Sequence, residues 1–429
     1  MPQPCPPELD RDTPALVLKL DANVFHHGGL GVIRSLGRLG VPVYAVQEER
    51  FTPAGASRYL RGGWVWRPGT EDADRVRLGL LRLADRIGRR SVLLPTDDAG
   101  ALFVAEHEAG LREAFLFPKP DPGLPRQVAD KYALYELCRR FGVPCAATTR
   151  ASSLGEAAEF LDTAGFPVIV KLVRPWHERG RRQRSTTLVR TREELSALFD
   201  RARGTSLMLQ EYLPGGADAD WFFHGYCDAR SICRPAFTGR KRRSYPAHAG
   251  LTAFGRAEQN AELAAGARDL LARLGYRGIM DLDLRRDPRD GQYKLLDFNP
   301  RLGAQFRLFT DDTGVDVAVA AHLDLTGREI PQGRPVDRGF LVENYDPIAA
   351  AGYWRRGELD LRTWLRSLRE VDELAWFARD DLRPFGLMCA RLGWRVLRRP
   401  FPPRNRSHTP APPRFRPGRA TSHSERGSR

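Results

Sequence analysis

Apolar and polar positions change rhythm several times along this chain. Ala15-Leu-Val-Leu-Lys-Leu20 is a nearly continuous apolar run, His26-His27-Gly28-Gly29-Leu30-Gly31 follows as a glycine-containing loop, and Val32, Leu36 and Leu39 recur at helical spacing before the apolar run Val41 to Val46. Strand, helix and strand in that order predict a βαβ unit. Ser91-Val-Leu-Leu-Pro-Thr-Asp-Asp98 predicts a further parallel strand, with Asp97 and Asp98 at the carboxyl edge where open α/β sheets receive ligands; helix capping explains the two aspartates equally well. In the glycine loop, Gly29-Leu-Gly-Val-Ile-Arg34 carries arginine where a dinucleotide fingerprint needs its third glycine, so NAD is not expected.

After a proline-rich linker near Pro118, the period becomes helical from Asp130-Lys131 to Phe141. A second helix is expected from Ser153 to Ala164, with Ser153 and Glu156 as a capping box. Val168-Ile-Val-Lys-Leu172 reads as a buried strand that delivers one lysine, and Thr186 to Val189 as its hairpin partner. An ammonium inside such a strand costs several kcal/mol unless an anion meets it, so Lys171 needs a carboxylate or a phosphate. Lys131 by itself reads as an ordinary surface residue. Leu207 to Leu213 is the next strand, broken by Pro214-Gly215-Gly216, and its end, Gln210-Glu211-Tyr212-Leu213, offers backbone groups that can read the edge of a purine. Trp221 to Cys227 and Ile232 to Thr238 continue as strands, helices are expected at Ala257 to Gly275 and Val315 to Leu325, and the tryptophans at 364, 376 and 394 belong to a packed helical C-terminal element.

Gly278 to Arg301, GIMDLDLRRDPRDGQYKLLDFNPR, carries the densest chemistry. Ile279 to Leu284 alternates apolar with acidic residues, Asp290-Gly291 supplies a turn, and Tyr293 to Phe298 resumes as a strand. Asp281 and Asp283 share one face, as do Asp297 and Asn299. Hard oxygen donors converging on one point, with the guanidinium of Arg301 nearby, suit Mg²⁺ bridging nucleotide phosphates. An exposed acidic hairpin is the plain alternative, which the ordered set Asp283, Asp297, Asn299 and Arg301 disfavours.

A chain of 429 residues predicts two or three domains. The net charge of +15 suggests nucleic acid until it is located: from Arg391 onward there are eleven arginines against one glutamate, which leaves about +5 for everything before. The bulk is nearly balanced, and nucleic-acid binding is not expected. The Pro-, Arg- and Ser-rich stretch 400–429 reads as a disordered basic tail. Cysteines at 5, 138, 145, 227, 233 and 389 lack CxxC spacing, which argues for free thiols, and the proline-rich acidic N-terminus lacks the pattern of a secretory signal, so a cytoplasmic location without a membrane span is expected.

Taken in order, the lysine helix, VIVK, QEYLPGG, an acidic residue soon after, a long helix and DLDL…LLDFNPR resemble the ATP-grasp superfamily over residues 118–326. Gly31-Val-Ile-Arg-Ser-Leu-Gly37, Ser57-Arg58-Tyr59 and Thr238-Gly-Arg-Lys-Arg-Arg-Ser-Tyr-Pro246 resemble more narrowly the carboxylate-amine ligases related to D-aspartate ligase. The resemblance implies α/β and α+β architecture: a Rossmann-like pre-ATP-grasp domain at 1–117 and the two ATP-grasp lobes at 118–206 and 207–326, to which the tryptophan-bearing segments add a C-terminal helical extension at 327–399. It implies ATP with Mg²⁺, or Mn²⁺ in its place, as cofactors. Lys131 and Lys171 would contact phosphates, Gln210, Glu211, Tyr212 and Leu213 would form the adenine hinge, and Asp218 would sit at the ribose. Asp283, Asp297 and Asn299 would hold the metal, Arg301 would steady the transferred phosphoryl group, and Lys241 would meet the γ-phosphate or the substrate carboxylate. The implied reaction joins a small-molecule carboxylate to an amine through an acyl phosphate, releasing ADP and phosphate. The oligomeric state, a homodimer included, stays open.

Two departures stand out. Both acidic metal positions are Asp where the family usually has Glu, and the segment 174–192, where a glycine-rich lid normally lies, holds seven arginines and only Gly180. They keep two alternatives open: a non-catalytic nucleotide-binding or scaffold protein, and a biotin-carboxylase-like enzyme, although no Ala-Met-Lys-Met-like carrier segment occurs in the sequence.

Overall fold

The computed structural model describes residues 7–171, 186–202, 205–216, 218–248 and 250–397. The expected tail at 400–429 and most of the arginine-rich segment lie outside them.

The first sheet forms from the apolar runs seen in the sequence. Its chain order is β1 (Ala15–Leu18), α1 (Gly28–Arg38), β2 (Val43–Gln47), β3 (Leu60–Val65), α2 (Ala73–Ile87), β4 (Ser91–Pro95), α3 (Asp98–Glu106), α4 (Glu108–Leu111) and β5 (Phe115–Leu116). The strands pair in parallel in the order β3-β2-β1-β4-β5. Leu16, Leu18, Val43, Val92 and Leu93 are almost fully buried, as expected for strands covered on both faces. Asp97 caps α3 by accepting from Gly100 N at 2.7 Å, and its other oxygen accepts from Leu20 N at 2.7 Å.

Two short helices, α5 (Leu124–Ala129) and α6 (Lys131–Phe141), lead into β6 (Thr148–Ala151), α7 (Ala158–Ala164), β7 (Val168–Lys171), β8 (Thr186–Val189), α8 (Arg192–Ala202) and β9 (Leu207–Glu211). Their strands form an antiparallel sheet in the order β6-β9-β7-β8. Asp130 caps α6 through the amides of Tyr132 and Ala133. The expected helix from Ser153 begins only at Ala158: Ser153 Oγ does accept from Glu156 N at 3.2 Å, but that bond closes a turn before the helix.

A seven-stranded sheet makes up the largest lobe. It comprises β10 (Asp220–Cys227), β11 (Cys233–Tyr245), β12 (Leu251–Ala257), α9 (Ala261–Arg273), β13 (Gly278–Arg286), β14 (Tyr293–Asn299), α10 (Val317–Leu325), β15 (Gly339–Leu341), α11 (Asp346–Arg355), α12 (Leu361–Leu368), β16 (Glu373–Leu374) and α13 (Arg383–Leu397), with strand order β14-β13-β10-β11-β12-β15-β16. The segment after residue 326 is therefore not only helical: β15 and β16 lengthen the sheet. It is also anchored to the first domain. Arg34, 2% exposed, donates to Asp381 Oδ2 at 3.0 Å and to Trp376 O at 2.7 Å, while Ser57 Oγ donates to the same carboxylate at 2.7 Å. Trp376 is fully buried with Phe25, Phe340 and Val342 in a core that spans both regions. No helix among the described residues is long and apolar enough to cross a membrane.

Candidate active site

Alternation along β13 and β14 puts the acidic residues on one face, and the register then decides which of them meet. Asp283 pairs with Asp297 and Asp281 with Asn299. On the other side of β13, His224 of β10 stands opposite Asp281, with Nε2 2.6 Å from Oδ1. Three lysines from three elements converge on the Asp283–Asp297 pair. Lys131, at the start of α6, and Lys171, at the end of β7, both reach Asp297 Oδ1, the latter at 3.4 Å, and Lys241 of β11 reaches Asp283 Oδ1 at 3.1 Å. The anion that Lys171 required is thus Asp297.

The electrostatics follow from this packing. Burial works against an ionised Asp297, yet Lys131 and Lys171 hold its carboxyl well below the usual carboxylate range. Asp283 moves the other way: burial raises it, and the neighbouring Asp281 and Asp297 carboxylates add to that, against the pull of Lys241. Burial lowers Lys171, partly offset by Asp297. Arg301 donates to Asp98 Oδ1 at 2.9 Å and lies 3.6 Å from Asp281 Oδ2, and despite burial these carboxylates raise its affinity for its proton. Arg301, Asp281 and His224 thus form a buried chain. Gly303 completes it, since a Cβ there would lie 2.5 Å from both Asp281 Oδ2 and His224 Cε1.

These groups line a cavity of about 800 Å³ that extends from Gln210, Glu211, Tyr212 and Leu213 past Lys171, Lys241, Asp283, Asp297, Asn299 and Arg301 to the loops of the first domain. Gln210 is fixed by donation from Nε2 to Thr148 Oγ1 at 3.2 Å, and Glu211 N donates to Ala147 O at 2.8 Å, which leaves the following residues as the open end of the strand. Asp218, expected at the ribose, is outside the lining: it is largely exposed and pairs with Arg240 and Arg242. The acidic group that does line this end is Asp220, gripped by Arg285 at 2.7 and 3.0 Å.

The donor set fits a magnesium ion that shares its coordination with a substrate. Asp283 and Asp297 face each other and repel. Asn299 gives its Nδ2 to Asp281 O at 3.2 Å, and its amide oxygen has no hydrogen-bond partner among the described residues. No trio of His, Cys, Asp or Glu among the described residues is placed to hold an ion alone. One or two carboxylates completed by phosphate oxygens and water is the usual magnesium pattern at nucleotide sites.

His224, Asp220 and Arg285 escaped the sequence reading as members of the site, whereas Asp98 is set by the sequence at a ligand-receiving strand edge. A histidine at an alternating position inside the apolar strand WFFHGYC was the one available signal, since a buried imidazole needs a polar partner.

No family model matches the chain. It is 24% identical over 283 residues to D-aspartate ligase of Enterococcus faecium, covering 63% of this chain and 64% of that protein, so it spans just under two thirds of the relative's length. A second match, 24% over 193 residues, is to the N-terminal section of the carbamoyl phosphate synthase large chain of Methanopyrus kandleri, covering 42% of this chain and 32% of that one. Among solved structures, L-amino acid ligase of Bacillus licheniformis superposes with a TM-score of 0.57 at 13% identity, over 77% of this chain and 79% of that one. An ADP complex of N5-carboxyaminoimidazole ribonucleotide synthetase superposes with 0.55 at 11% identity, over 79% and 82%. Three lobes in this order, with lysines and an acidic hairpin around one cleft, accompany these likenesses: the chain is similar in sequence to D-aspartate ligase and shares the ATP-grasp fold of the superposed structures.

Proposed function

We propose that the protein is an ATP-dependent carboxylate-amine ligase that works through an acyl phosphate. The observation that carries this reading is the convergence of Lys131, Lys171 and Lys241 on the paired carboxylates Asp283 and Asp297, with Arg301 alongside, in one cavity whose far end is the Gln210–Leu213 strand terminus. The division into a pre-ATP-grasp domain at 1–117, lobes at 118–206 and 207–326, and a closing segment at 327–399 belongs to the same reading.

In this reading the adenine lies against Gln210 to Leu213, and Lys131 and Lys171 turn from Asp297 to the phosphates. Asp283, Asp297 and Asn299 would hold Mg²⁺, or Mn²⁺, which would supply neutralisation of phosphate charge. A substrate carboxylate oxygen attacks the γ-phosphorus, the bond to the bridging oxygen breaks, and ADP leaves with the electron pair. Lys241 and Arg301 stabilise the charge that spreads over the transferred group. An amine nitrogen then attacks the acyl carbon, loses a proton, and expels inorganic phosphate. The relative's name makes aspartate the first acid to test.

The test is ADP release by the purified protein with magnesium and ATP against a panel of carboxylic and amino acids supplied in pairs. ADP and phosphate formation that depends on both an acid and an amine supports the reading. Tight nucleotide binding with no turnover across the panel would instead favour a non-catalytic nucleotide-binding protein.

A further inference from the structure

The first domain supplies a wall of the cavity for which the nucleotide has no use. β1 leads through α1 to β2 on one side of the sheet, and β4 through α3 toward β5 on the other. At such a divergence, the crevice beyond the carboxyl ends of the two strands is where open parallel sheets receive ligands. α1 begins in this crevice. His27 at its N-cap makes no side-chain cap bond, its first turn contains no acidic residue, and the amides of Gly28, Gly29 and Leu30 have no acceptor among the described residues.

A second, independent feature lies at the same place. His27 is 7% exposed and neither of its ring nitrogens has a hydrogen-bond partner; Nδ1 of His26 is likewise buried and unpartnered. Both rings line the cavity and lie nearly parallel with centroids 6.4 Å apart. The His26 ring folds over the first turn of α1, because a Cβ on Gly28 would sit 2.9 Å from its Cε1 and 3.2 Å from Ala304 Cα. Ala304 is three residues beyond Arg301, so the helix terminus borders the arginine loop. The surroundings favour an anion: burial, followed by the positive charges of Lys19 and Arg301, lowers His26 well below its ordinary value, and burial draws His27 down to about 4. Neutral imidazoles and helix amides can donate to a carboxylate without bringing a proton or a counter-charge of their own.

We propose that the N-terminus of α1, with His26 and His27, is a carboxylate subsite that anchors the non-reacting carboxyl group of the acid substrate beside Arg301. Its assignment to the acid substrate rests on the ligase reading; the binding of a carboxylate there does not.

Gly29→Asp places a competing carboxylate in the first turn of α1, and there is room for it, since the nearest atom to a Cβ at Gly29 is Val17 Cγ1 at 3.5 Å. The probe is aspartate, in each enantiomer, titrated calorimetrically into the full chain with MgADP present. Wild type should bind one enantiomer, Gly29→Asp should weaken that binding by tenfold or more with an unchanged or higher melting temperature, and His26→Leu should weaken it about tenfold. MgADP affinity should stay within twofold in both variants. Equal aspartate affinity in wild type and variants overturns the proposal, and so does a wild type that binds neither enantiomer. Failure of MgADP to bind is a separate result that counts against the nucleotide reading, while the aspartate titration in its absence still decides the subsite.

Discussion

On the hairpin wall of the cavity, Asp297 is met by Lys131 and Lys171, Asp283 by Lys241, and Asp281 by His224 and Arg301. On the first-domain wall, His26 and His27 carry no charge and no partner, and the helix amides beside them are equally unengaged. The contrast shows two ways of preparing for anions. The hairpin wall stores its cations on its own carboxylates; on the proposed ligase reading the lysines would move to phosphates and a metal ion would take their place, which would keep buried charge balanced. The first-domain wall holds neutral donors, which can recognise a carboxylate but cannot stabilise charge that develops during a reaction. The walls should therefore fail differently when altered.

The largest effect is expected on the hairpin. Asp297→Ala removes the group that faces both Asp283 and two lysines, and magnesium-dependent ADP release should drop by about a thousandfold or more; full activity in a coupled assay would sink the metal assignment. Next comes the support of the first-domain wall. Asp381→Ala leaves Arg34, 2% exposed, without its counter-ion and frees the segment carrying Trp376, which packs 5.9 Å from His27 and 6.4 Å from Phe25 between ring centroids. Chemical denaturation should show a loss of about 3 kcal/mol, because a buried charge is stranded.

A pH series sharpens the comparison further. Asp297 is held below the ordinary carboxylate value of 3.8, so the stability it lends is complete above that value and fades as the pH falls below it. The melting-temperature advantage of metal-free wild type over Asp297→Asn should therefore be constant near neutrality and shrink in acid. His26→Leu should behave differently: burial holds His26 below its ordinary value of 6.5, so the unfolded chain takes up a proton there that the fold refuses, and wild type should lose stability relative to the variant as the pH falls below 6.5. The smallest effect is expected from Asp297→Glu, which restores the longer arm usual in ATP-grasp hairpins; ADP release should stay within about tenfold of wild type, and the magnesium concentration for half-maximal rate should move more than the maximal rate.

Much of the hairpin wall was legible in the chain. Period-two alternation fixes which side chains share a face, so DLDL and LLDFN could be set on one surface before any register was known, and a lysine inside VIVK announced its need for an anion. Asp218, the acidic residue expected at the ribose, pairs with surface arginines, while Asp220, two positions on, lines the cavity. Both sit near the start of β10, and only the sheet register selects between them. The extension after residue 326 read as helical because β15 and β16 are three and two residues long, too short to show a period.

Local patterning, then, determined the order of elements, the lysine-bearing strand, the strand that ends at Gln210–Leu213 and the acidic hairpin, because each depends on residues within a few positions of one another. The tertiary structure alone decided that Asp283 meets Asp297, that three lysines neutralise them, and that the His27 ring nitrogens are left without a partner at the cavity wall. Those outcomes depend on side chains brought from far along the chain, such as Phe340 and Trp376 over His27 and Asp381 over Arg34. Burial and electrostatic compensation are set by such long-range neighbours, and no local period encodes them.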